Sequence, residues 1–226
     1  MSDSKAVRRG WRMGAGWAVV AALALAAGLA AAKPDSVAGS IIELWPLVKT
    51  PLPPGLKAVQ LDPKSAALLI LDIEKATTAN GRRPRAVAVA PALGKLLAQA
   101  RRAGMHVLHS TVPGAASDDI LSEVKPLPGE PVVASSVDKF YNTDIEKLLR
   151  ARGVAKVLIV GTAAEGAVLH TSISAAMRGF DVVVPVDGMP SSSLYAEQYT
   201  AWHLQNSPGA WRRVTLTRLD MIRFAQ

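Results

Sequence analysis

After about residue 65 the chain alternates short apolar runs with longer segments of helical spacing. Ala66 to Leu71 (AALLIL) is a short unbroken apolar run that ends on Asp72. That pattern predicts a strand buried on both faces, as in a parallel sheet. Pro91 to Ala103 predicts a helix, with Leu93, Leu96, Leu97 and Ala100 on one face and Gly104 as its stop. Met105 to His109 predicts a second strand, Asp118 to Val124 a short helix, and Pro131 to Ala134 a third strand. Thr143 to Arg152 reads as a helix, Lys156 to Val160 (KVLIV) as a fourth strand, and Gly166 to Arg178 as a helix closed by Gly179. Phe180 to Val186 predicts a fifth strand, Tyr195 to Asn206 a helix, Arg213 to Thr217 a last strand, and Leu219 to Phe224 a terminal helical turn.

Strands alternating with helices imply βαβ crossovers and a mainly parallel sheet with helices on both faces. The predicted class is α/β, a three-layer α/β/α sandwich. Ligands in such sheets bind beyond the carboxyl ends of the strands. That rule gathers Asp72, Ser110-Thr111, Gly161 to Ala167 and Asp187 into one neighbourhood.

The first 64 residues read differently. Lys5 to Arg12 is a basic segment, and Gly14 to Ala32 is an uncharged run ending in Ala30-Ala31-Ala32. Residues 1–32 therefore read as a signal peptide, or as an uncleaved anchor holding the chain to a membrane through residues 14–32. Either reading places the remainder across a membrane, periplasmic or secreted, because the basic end stays inside. Residues 33–64 hold Pro34, Pro46, Pro51, Pro53, Pro54 and Pro63 and read as a linker or surface segment. Residues 65–226 make the domain.

Composition narrows the chemistry. Half of the 226 residues are hydrophobic, enough for a sizeable core. There is no cysteine, so disulfides, thiolate metal sites and thiol nucleophiles are excluded. Net charge is +8; four basic residues against Asp3 give the leader +3, leaving +5 for the rest. The remaining basic residues, among them Arg82, Arg83 and Arg85, are dispersed and not interleaved with aromatics. They read as a solvated surface, and nucleic acid is not expected as a partner. The four histidines are scattered; His109, near a strand's carboxyl end, is the one placed near the predicted site.

Three strings carry a resemblance: LLILDIEKA at 68–76, ARRAGMHVLHST at 100–111, and the long run 138–189 with its G-T-A-x-x-x-x-V-x-x-T string at 161–171. Together they resemble the isochorismatase-like hydrolase superfamily, over roughly residues 65–220. The resemblance implies a small-molecule substrate and a homo-oligomer; no cofactor is expected, and no metal, because residues 73–85 lack the histidine ligands that the family's nicotinamidases add after the first strand. The family's amidases use an Asp, a Lys and a Cys. The Asp falls on Asp72, where it would accept or deliver a proton. A capping carboxylate is the plainer role for the same residue. The Cys falls on Ala167, whose methyl attacks nothing. The N–H groups of Ala163 and Ala167 lie where the family builds its oxyanion hole, near a cis peptide that its members place at Thr162-Ala163. The family register for the Lys lands on Ala134; Lys139, five residues on, is the candidate to reach the same pocket, and it equally suits a surface. Lys75 and Lys125 are weaker candidates. Glu74 and Glu165 are expected beside Asp72, making an acidic pocket that prefers a cationic or neutral ligand. Glu74 would pair with Lys139 or share a proton with Asp72. Tyr141, Tyr195 and Trp202 are candidates to line it.

Two functions follow. One is a hydrolase without a thiol, acting on a C–N or enol-ether bond, as isochorismatase itself does without the Cys. The other is a catalytically inactive domain that binds a ligand or serves as an accessory subunit.

Overall fold

The computed structural model describes residues 39–225. The leader, 1–32, and the first residues of the proline-rich segment lie outside the described residues. The described residues divide into two units at residue 49, one before it and one from residue 50 on. In the first, helix α1 (Ile41–Leu44) starts at Ser40, whose side chain accepts from the Ile42 N–H while Glu43 reaches back to the Ser40 N–H.

The second unit holds, in order, β1 (Val59–Leu61), β2 (Ala66–Leu71), α2 (Lys75–Thr78), α3 (Pro84–Arg102), β3 (His106–Thr111), β4 (Val132–Ala134), α4 (Ile145–Ala151), β5 (Lys156–Gly161), α5 (Leu169–Met177), β6 (Asp181–Pro185), α6 (Leu194–Asn206), β7 (Val214–Thr217) and β8 (Ile222–Phe224). Six strands form one sheet in the order β4-β3-β2-β5-β6-β7, and every pairing is parallel. All six residues of β2 are buried, as its unbroken apolar run requires.

Successive residues of β2 feed opposite layers. Ala67, Leu69 and Leu71 belong to the core shared with α4, α5 and α6, through Ile145, Leu149, Ala175 and Leu204. Ala66, Leu68 and Ile70 belong to the core under α3, with Ala86, Ala90, Leu93, Leu97 and Ala100. The period of two in a strand produces this division. The result is the expected three-layer sandwich.

Four elements differ from expectation. Helix α3 starts at Pro84, not Pro91, and runs through Pro91. Its buried residues at 86, 90, 93, 97 and 100 keep helical spacing across the proline. Pro91 lies on the exposed side. The carbonyl it cannot serve belongs to Val87, which is also exposed and so open to solvent. The expected terminal helix is a single tight turn, Leu219–Met221, followed by strand β8. Strand β8 pairs in parallel with β1, so residues 59–61, expected in the surface segment, enter a small second sheet. The expected short helix over 118–124 is two separate tight turns, Ser117–Asp119 and Ser122–Val124.

Candidate active site

The strand order reverses between β2 and β5. Chain leaves this point toward β3 and β4 on one side and toward β6 and β7 on the other, which opens a crevice at the strand ends. Leu71 pairs with Ser110 of β3 and with Gly161 of β5. A Cβ on Gly161 would stand 2.1 Å from the Leu71 carbonyl oxygen, so only glycine permits this approach. Asp72 follows immediately, at φ 54°, in the left-handed region that Asp tolerates better than most residues. Its N–H donates to the Ser110 carbonyl at 3.1 Å, and its own carbonyl accepts from Thr77 Oγ1 at 2.6 Å. The strand is thus turned sharply, and the carboxylate is left at the rim.

The Asp72 carboxylate is held on both oxygens. Oδ1 accepts from Ser110 Oγ at 2.7 Å, and Oδ2 stands 2.8 Å from Lys139 Nζ. Lys139 Nζ also donates to the Ser135 carbonyl at 2.8 Å. Lys139 is wholly buried and, with Phe180, is among the largest side chains so placed among the described residues. The backbone fixes it as well. Its N–H donates to Thr171 Oγ1 at 3.2 Å, and its carbonyl accepts from Thr143 Oγ1 at 2.5 Å. Thr171 is the last residue of the G-T-A string, and Thr143 follows Phe140 by three. Both threonines hold the lysine loop in place. Ala134, the position that the family register gave, ends β4 and is exposed.

Burial raises the Asp72 pKa, and this outweighs the opposing pull of Lys139, of the Ser110 hydroxyl and of Arg83. Glu74 is fully buried. Its Oε1 accepts from the Val112 N–H at 2.9 Å, and its Oε2 has no partner. Burial pushes its pKa up to about 6; the Val112 N–H opposes, and the Asp72 charge adds to the rise.

A cavity of about 200 Å³ opens at this point. Asp72, Thr77 and Arg83 line one part of it. Val112 and Pro113 line another, as do Ser135 to Val137 and then Thr162, Ala163, Gly166 and Ala167. The Thr162-Ala163 peptide is cis. A wide helical turn over Ala164–Val168 leads into α5 and carries Ala167 against the cavity.

The structure therefore brings Asp72, Lys139, Ala163 and Ala167 together, with Lys139 behind Asp72 and outside the cavity lining. It separates the rest. Glu165 faces elsewhere: it accepts from Ser191 Oγ at 2.5 Å and lines a groove with His170 and Tyr199. Glu74 turns to Val112 and does not line the cavity, so neither pairing expected for it forms. Tyr141, Tyr195 and Trp202 are exposed and line no part of it. Lys75 and Lys125 sit at the surface near Asp119 and Asp118. Asp187 accepts from the Leu219 N–H. His109 is buried inside β3 against Glu130, at 3.1 Å. The expected acidic pocket is not formed: one carboxylate lines the cavity, and it is paired.

Arg83 is the site residue that sequence reasoning missed. The sequence groups it with the solvated arginines, because nothing in its spacing separates it from Arg82 and Arg85. Its place just before Pro84 was the available signal. Proline favours the first position of a helix and disfavours helical backbone in the residue before it, so Arg83 stands outside α3 at its start. Ser110 and Ser135 likewise acquire their roles only through strand pairing.

In open parallel sheets ligands bind at the carboxyl ends of the strands, at the switch point, and here that point carries the buried Asp72–Lys139 pair. The family model of the isochorismatase domain matches residues 66–213, and the chain belongs to that family. It is 32% identical over 110 residues to the secreted isochorismatase effector Isc1 of Verticillium dahliae, covering 44% of this chain and 58% of that one. It is 33% identical over 132 residues to a streptothricin hydrolase of Streptomyces noursei, covering 54% of this chain and 48% of that one. The chain thus spans about half the length of these curated relatives. Two solved structures share the fold. An isochorismatase family protein from Desulfovibrio vulgaris matches at a TM-score of 0.62 and 23% identity, over 70% of this chain and 95% of that one. N-carbamoylsarcosine amidase from Thermoplasma acidophilum matches at 0.59 and 24%, over 69% and 97%.

Proposed function

We propose that this chain is an exported hydrolase that cleaves a C–N or enol-ether bond of a small molecule without a covalent thiol intermediate. The buried Asp72–Lys139 pair at the cavity carries this reading. A buried ion pair adds little to stability over a well-packed apolar pair, so its presence beside an open cavity calls for another reason. Asp72 is the proton carrier. Its raised pKa suits an acid that delivers a proton and then recovers it from attacking water. In an enol ether, the proton goes to the terminal alkene carbon. Water adds to the resulting oxocarbenium carbon and returns a proton to Asp72. The hemiketal then collapses to a carbonyl and an alcohol. This route needs no nucleophile beyond water, so Ala167 favours it over amide cleavage. Lys139 is a positioning residue: it holds Asp72 in line and pairs with the carboxylate left once the proton has been delivered.

Export is supported by the basic and apolar leader together with the similarity to a protein named as a secreted effector. A second reading, an inactive binding domain, is favoured by Ala167 itself. A panel of enol ethers and primary amides, assayed with the wild type and Asp72→Asn, separates the two. We expect Asp72→Asn to lower turnover by about a hundredfold or more. Equal turnover by the variant sinks the role of Asp72. Binding without turnover by the wild type favours the inactive domain.

A further inference from the structure

The charges around the cavity do not cancel. Asp72 is answered by Lys139 at 2.8 Å. Glu74 and Glu165 are turned away from the cavity. Arg83 remains as the one cation among the described residues that line it. Its Nη1 donates to the Thr77 carbonyl at 3.2 Å, which fixes the guanidinium against the α2–α3 corner. Its Nε is buried and has no partner. A buried N–H without an acceptor is unfavourable, and more so on a charged group. A guanidinium presents its donors as a planar fork that fits a carboxylate, and it carries its charge permanently. Across the cavity, Ala163, Ala167 and Val137 offer apolar groups and no competing charge.

We propose that Arg83 binds a carboxylate of the substrate, so that the site takes a small carboxylate-bearing molecule with its scissile bond toward Asp72. This deepens the hydrolase reading and rests on it for the reaction, whereas the binding step stands separately. A cavity of about 200 Å³ is below the range of drug-sized pockets, which favours an acid of a few carbons. The arrangement reverses the preference for a cationic or neutral ligand that the acidic residues of the sequence suggested.

Succinamate and succinamide make the test. They match in size and differ by one carboxylate. Binding of each to the full chain is measured by ligand-observed NMR titration, with ammonia release followed in the same samples. The wild type should bind succinamate about tenfold more tightly than succinamide, the strength of one hydrogen-bonded charge contact. Arg83→Gln should bring the ratio to near one, Arg83→Lys should keep an intermediate preference, and Arg82→Gln, a neighbouring arginine outside the cavity lining, should leave it unchanged. A ratio near one in the wild type, a preference that survives Arg83→Gln, or no binding of either compound overturns the proposal. If Arg83→Gln does not fold, the wild-type ratio and Arg83→Lys still decide. Equal binding of the two compounds, together with ammonia release or turnover of the enol-ether panel, sinks the Arg83 inference and leaves the hydrolase reading standing. An Arg83-dependent preference without ammonia release, and without turnover of the enol-ether panel, does the reverse.

Discussion

Two ion pairs of nearly equal length occupy opposite environments in this fold. Lys139 Nζ stands 2.8 Å from Asp72, with side chains 0% and 5% exposed. Arg85 Nη2 stands 2.6 Å from Glu197, with side chains 50% and 12% exposed. The Arg85 pair is bidentate, and Glu197 also accepts from the Ser191 N–H, so it ties the start of α3 to α6 and to the segment before it. Its charges keep water nearby, and its task is to join elements. The Asp72 pair has no such task. Ser110, Ser135, Thr143 and Thr171 already fix both partners, and the pair faces a cavity. Distance alone does not separate a structural contact from a chemical one; burial and what lies in front of the pair do.

The comparison breaks most readily at Lys139. Lys139→Met leaves the Asp72 charge buried and unpaired, and should lower stability by about 3–5 kcal/mol at neutral pH. Thermal or urea unfolding reads this. Asp72→Asn combined with Lys139→Met should recover most of the loss, because no charge is then left alone. A smaller loss from Lys139→Met than from removal of Arg85 reverses the argument.

Glu74 gives the next effect. Its folded pKa, about 6, lies above its ordinary value of 4.5, so the folded state holds this proton more tightly than the unfolded chain does. Its contribution is complete below pH 4.5 and is lost as pH rises through 6. The rise of about 1.5 pKa units corresponds to about 2 kcal/mol. Glu74→Gln stays neutral and keeps an acceptor for the Val112 N–H. It should therefore be more stable than the wild type by about that amount at pH 7, and nearly equal to it at pH 4. Unfolding curves across this range check it. Asp72, whose pKa is also raised, leaves a residual slope of the same sign in the variant.

The smallest effect is expected at the exposed pair. Arg85→Ala should lower stability by less than about 1 kcal/mol, and salt should shrink the difference.

The centre of the main sheet was legible because its strands are buried on both faces. AALLIL and KVLIV have no other stable place. The sequence predicts a shorter α3 because Pro91 suits a helix start; tertiary burial of Ala86 and Ala90 carries the helix seven residues further back. Strand β8 was read as a helical turn because three residues show no period, and its strand form depends on β1, which lies some 160 residues earlier in the chain. In the site, Asp72 was legible as the residue that ends the first buried strand. The arrangement of its neighbours was not. Glu74, Glu165 and Lys139 are all charged residues near strand ends, and sequence distance does not say which way each side chain turns.

The sequence by itself determined the layers, the order of the elements, the lack of any thiol, and Asp72 at a strand end, because periodicity and residue chemistry are local properties. Only the tertiary structure decided that Lys139 reaches Asp72, that Glu74 and Glu165 do not enter the cavity, and that Arg83 does. Those outcomes depend on which backbone groups satisfy each buried charge, and the backbone groups in question are brought together by strand pairing and loop packing across long stretches of chain.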